Sequence, residues 1–71
     1  MREWLQKARI ESEMTQLEVA KKLDITEAYY SYIEKGERQK KMDFSLAAKL
    51  SVIFGISLQE IFEFEKSEGR M

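Results

Sequence analysis

TQLEVAKKLDITEAYYSYIEK, residues Thr15 to Lys35, decides the fold of this chain. It opens with the pattern T-x-x-E, in which a Thr side chain accepts from the backbone N–H three residues on while the Glu reaches back. Thr15 is therefore expected to cap a helix over residues 16–23. Met14 just outside that cap and Val19 inside the helix have the spacing of a hydrophobic staple. Val19, Ala20 and Leu23 form one apolar face, with Glu18, Lys21 and Lys22 on the other. Leu23-Asp24-Ile25 is too short for a loop, and Asp tolerates left-handed backbone better than most residues. Thr26 caps a second helix over residues 27–35, and Ile25 and Tyr30 repeat the staple spacing. Tyr30 and Ile33 face inward. Glu27, Ala28, Ser31, Tyr32 and Lys35 fall on the opposite face, and Gly36 ends the helix as a left-handed residue.

Gln16, Ala20, Asp24 (where Gly is usual), Ile25, Thr26, Tyr30, Ile33, Glu34 and Gly36 resemble the helix-turn-helix signature of the phage-repressor and Cro type, the Xre-like domains. The resemblance runs from about Trp4 to Phe62, nearly the whole chain. It implies an all-α, compact five-helix bundle of the lambda-repressor-like type, with helices two and three forming the helix-turn-helix. It implies further that Glu27, Ala28, Tyr29 and Tyr32 face bases and that Gln16 meets a phosphate. An Arg9–Glu34 bridge would tie helix one to helix three, and the last helix would make a dimer contact.

The rest of the chain fits such a bundle. With 71 residues, 44% of them hydrophobic, no Pro and three Gly, it can build one small helical domain with one core. Helix one is expected over residues 2–12, burying Trp4, Leu5, Ala8 and Ile10. Asp43 should cap a helix over residues 44–54 that ends at Gly55. Phe44, Ala47, Ser51 and Phe54 make one stripe on it, with Leu46, Leu50 and Ile53 beside them, so this helix belongs at the centre. Ser57-x-x-Glu60 is a second capping box, opening a helix over residues 58–64. Leu58, Ile61, Phe62 and Phe64 exceed what a last short helix needs to bury internally, and are the candidate dimer contact. The domain is expected over residues 1–64, with 65–71 a charged, frayed tail.

Absent residue types exclude whole classes of chemistry. The sequence has neither Cys nor His, so there is no thiolate chemistry, no His-based general acid or base and no zinc set built from those ligands. No Gly-rich phosphate loop is present either, so an enzyme is not expected, nor a cofactor, metal or small-molecule ligand. Phe44 to Leu58 is too short and too polar to span a bilayer, and a cytoplasmic protein is expected. The net charge is −1, yet the seven residues from Gly36 to Met42 carry +2. Lys35, Arg38, Lys40 and Lys41 thus form a cationic strip directly after the second helix of the pair. Attraction to phosphate depends on such local placement, because exposed charges are screened beyond roughly 8–10 Å.

These features converge on a sequence-specific regulator of double-stranded DNA, a repressor acting as a homodimer on a palindromic operator. In this reading Glu27, Ala28, Tyr29 and Tyr32 meet base edges, while Gln16, Thr26, Lys35, Arg38, Lys40 and Lys41 hold the backbone. The alternative is a protein-interaction module, such as the antitoxin of a toxin–antitoxin pair, which the acidic balance and the tyrosine-rich face would suit.

Overall fold

The computed structural model describes residues 1–70; Met71 lies outside the described part. Five helices follow in order: α1 (Glu3–Glu11), α2 (Gln16–Leu23), α3 (Glu27–Lys35), α4 (Phe44–Phe54) and α5 (Leu58–Ser67). Every helix from α2 onward starts on a side chain that satisfies one of its free N–H groups. Thr15 Oγ1 accepts from the Glu18 N–H at 3.1 Å while Glu18 Oε1 accepts from the Thr15 N–H at 2.8 Å, completing the capping box. Thr26 Oγ1 accepts from the Tyr29 N–H at 3.1 Å, and Asp43 Oδ1 from the Leu46 N–H at 2.7 Å. Ser57 and Glu60 form the second box. Between α2 and α3 the chain turns on Asp24, which adopts a left-handed φ of 60°. A single residue in that conformation reverses the backbone, so the helices meet at a corner rather than a loop.

The core is made by Trp4, Leu5, Val19, Ala20, Leu23, Tyr30, Ile33, Met42, Ala47, Leu50 and Ile61, drawn from all five helices and the segment before α4. α1 packs on α3, and α4 lies against both α2 and α5. No single helix among the described residues is long and apolar enough to cross a membrane.

Four expectations are corrected. Ile10 is 58% exposed, because it lies well round the circumference of α1 from the inward-facing Trp4 and Leu5. Phe44 is 67% exposed: it stands in the first turn of α4 at the edge of the face that Ala47 and Leu50 bury, and Val52 on the far side of that edge is 84% exposed. Ile61 is fully buried in the core and cannot be a dimer contact. Residues 65–70 are not a frayed tail. α5 runs to Ser67, Glu65 is buried, and Glu68 accepts from the Trp4 N–H at 2.9 Å.

Gly36 ends α3 with a φ of 80°, and a Cβ there would lie 2.8 Å from Arg70 Nη1. That guanidinium is the far end of a flexible side chain and can move, so the backbone cost dominates. Gly36→Ala should therefore destabilise the domain by about 1–2 kcal/mol, read as a lower urea midpoint.

Candidate nucleic-acid interface

α3 presents Glu27, Ala28 and Tyr32 to solvent, while Tyr30, Ile33 and Glu34 on its other side are buried. Tyr29 departs from the expected outward set. It is half-buried against the core and lines a groove with Ser45, Leu46 and Lys49 of α4, so its ring serves packing first. Lys35 Nζ stands 5.6 Å and Arg38 Cζ 5.8 Å from the centre of the Tyr32 ring. Both are within cation–π range, which draws the start of the cationic strip onto the exposed face of α3. Lys40 and Lys41 continue the strip and are exposed. Thr26 uses its oxygen as the α3 cap but keeps its O–H hydrogen free to donate outward.

Behind this face a hydrogen-bonded cluster holds α1, α2 and α3 together. Arg9 Nε donates to Glu34 Oε2 at 2.6 Å, and Arg9 Nη1 to the Met14 carbonyl at 3.1 Å. Gln16 Nε2 donates to Glu34 Oε1 at 3.1 Å, so Gln16 is partly committed inside the protein. Its second amide hydrogen is what remains to donate to a phosphate. Burial opposes ionisation of Glu34, but hydrogen bonds, that from Arg9 foremost, outweigh it and hold the carboxyl below its ordinary value. Burial pushes the Tyr30 hydroxyl well above the usual phenol range, with the Glu34 carboxylate adding to the shift.

The sign of the Glu34 shift fixes a pH dependence. A carboxyl depressed in the folded state binds its proton less readily there than in the unfolded chain. Its contribution is complete above 4.5, the ordinary Glu value, and is lost as pH falls below that through the folded-state value. The urea midpoint should therefore drop between pH 6 and pH 3, and drop less in Glu34→Gln. Equal losses in both proteins would show that other groups carry the effect.

A helix-turn-helix family model matches residues 5–61. The chain belongs to the Cro/C1-type helix-turn-helix family. This is a family of DNA-binding proteins that regulate transcription, and its fold is the lambda-repressor-like bundle seen here. Among relatives, an uncharacterised HTH-type transcriptional regulator of Bacillus subtilis (strain 168), YqaF, is 40% identical over 72 residues, covering 99% of this chain and 95% of its own. No solved structure matches. Within this helix-turn-helix protein, then, α2 and α3 are the family's motif.

One set of contacts around the motif was not foreseen. The Arg2 side chain is completely buried, paired with Glu65 at 2.9 Å. Trp4 Nε1 donates to the same carboxylate at 2.7 Å. Half of this was readable: Leu58, Ile61 and Glu65 share one face of α5 by spacing, so Glu65 points where the core is. Nothing comparable marks Arg2, which precedes the first helical repeat.

Proposed function

We propose that this chain is a transcriptional repressor that binds a palindromic operator as a homodimer, with α3 laid in the major groove. The observation that carries the reading is the exposed face of Glu27, Ala28 and Tyr32 with Lys35 and Arg38 gathered at the Tyr32 ring. A helix in the major groove reads bases with its first turns and one outward face, and needs cations beside it to seat on the phosphates. Glu27 would accept from a cytosine amine and Ala28 would touch a thymine methyl. Tyr32 would donate from its hydroxyl and cover apolar surface with its ring. Tyr29, half-buried, is left with only an edge for contact. Gln16, Thr26, Lys35, Arg38, Lys40 and Lys41 would hold the backbone, helped by the free N–H groups at the start of α2. The relative's description as a transcriptional regulator supports the same reading. Repression needs no more than occupancy of a promoter in the cytoplasm, without cofactor or small-molecule ligand.

With Ile61 withdrawn, the homodimer would rest on Leu58, Phe62 and Phe64 of α5, of which Phe64 is 38% exposed. Phe64→Lys should then shift the protein from dimer to monomer in sedimentation equilibrium; an unchanged mass would move the contact elsewhere. A second reading, a module that binds a protein such as a toxin, draws on the exposed Phe44 and Val52 of α4.

Selection of oligonucleotides from a random pool, followed by affinity measurements across salt concentrations, tests the reading and separates it from the second. A palindrome with half-sites about one helical turn apart is expected. A protein-only binder would select nothing and show no salt-dependent shift of duplex DNA. Glu27→Gln should change the preferred base at one position of each half-site with the salt slope intact. Lys40→Ala should leave preference alone and lower the slope by about one.

A further inference from the structure

We propose that Arg2 and Glu65 are a positioning pair for DNA binding, fixing the cationic strip in register with α3. The proposal rests on reading that strip as the phosphate grip. Arg2 has five N–H donors, and all are used. Nε and one Nη2 hydrogen meet the two oxygens of Glu65, each at 2.9 Å. Nη1 donates to the Ile33 carbonyl at 2.8 Å and to the Arg38 carbonyl at 3.2 Å. Nη2 also donates to the Gln39 carbonyl. The Arg2 backbone N–H completes the set by donating to the Glu34 carbonyl at 2.6 Å.

The direction of these bonds carries the argument. If holding the bundle together were the whole purpose, an apolar contact of similar volume would serve as well as a buried ion pair. Three of the five side-chain bonds instead end on main chain at the last turn of α3 and within the strip. Two of the carbonyls held, those of Arg38 and Gln39, lie between Lys35 and the Lys40–Lys41 pair. Gln39 has a φ of 54°, which disfavours any residue with a side chain, so the loop would relax there unless held. Its side chain adds a second tie, Gln39 Oε1 accepting from the Asp43 N–H at 2.9 Å. Glu65 is itself fixed by Trp4 and sits 1% exposed. The result is a strip whose Lys40 and Lys41 side chains stay exposed while its backbone is pinned. A guanidinium can address a carboxylate and three carbonyls at once; an ammonium cannot.

Arg2→Lys, which keeps the charge and loses the geometry, is the first test. Its folding is followed by urea melting and by fluorescence of Trp4, the sole Trp. Amide hydrogen exchange of residues 37–42 should be accelerated about tenfold or more while α2 and α4 exchange as in the unaltered protein. Operator affinity should fall by about tenfold or more and the salt slope should shallow, with base preference unchanged. If Arg2→Lys does not fold, Glu65→Gln is measured in the same way. Three results would overturn the proposal: loop exchange unchanged, exchange raised evenly across the domain, or a loosened loop with affinity and slope intact. Failure of the unaltered protein to bind any duplex with salt dependence would instead remove the DNA-binding reading, while the exchange data still report on the clamp.

Discussion

Replacing Glu34 by Ala should leave little folded protein at 25 °C. The side chain is 2% exposed, and its two oxygens take hydrogen bonds from Arg9 and Gln16. Truncation removes the acceptor and leaves the Arg9 guanidinium, only 13% exposed, without its counter-charge. Breaking a shielded pair from one side costs about 3–5 kcal/mol, because the remaining charge stays desolvated. A domain of this size sits near the lower end of the usual 5–15 kcal/mol of stability, so the loss consumes most of it. Urea melting followed by Trp4 fluorescence measures the effect, and a change within about 0.5 kcal/mol would show that the cluster is dispensable. Arg9→Met combined with Glu34→Leu should recover much of the loss, since two apolar groups leave no stranded charge.

Converting Lys35, Arg38, Lys40 and Lys41 together to Ala should remove most of the salt dependence of DNA binding with little effect on the fold. If each holds one phosphate, the four release counterions with a combined slope near −3.6, worth roughly 150-fold in affinity between 50 and 200 mM salt. Lys35 and Arg38 also lie over Tyr32, so a stability cost of about 1–2 kcal/mol accompanies the change. Fluorescence anisotropy with the selected operator at the two salt concentrations reads the difference. A quadruple variant that keeps the steep slope would place the phosphate grip on some other surface.

The pattern from Thr15 to Gly36 was legible because each of its signals is local. A capping box, a left-handed corner and a terminal Gly act within a few residues, so the structure shows them where spacing put them. The Arg9–Glu34 pair came from resemblance, since nothing local announces a bond between residues so far apart in sequence. Phe44 and Ile10 misled for a different reason. Periodicity says which residues share a helix face, but not which of two apolar faces the neighbouring helices cover. On α4 the buried line runs between the two stripes, through Ala47 of one and Leu50 of the other, leaving Phe44 and Val52 outside. Tyr29 shows the same limit at the interface itself: its position on α3 is compatible with facing outward, and only the place of α4 turns it into packing. Arg2 was invisible because its five partners are spread over α3, the strip and α5 and are joined only by folding.

The span of the Arg2–Glu65 bond, 63 residues, gives synthesis a direction. α2 and α3 hold one another through neighbours close in sequence and can form as soon as they leave the ribosome, whereas the anchor for the strip is made only when the last helix emerges. An unfinished chain would thus carry the helix pair before the cationic strip beside it is anchored. Loss of α5 would take Ile61 out of the core as well as Glu65 away from Arg2, so the bundle and the strip would loosen together.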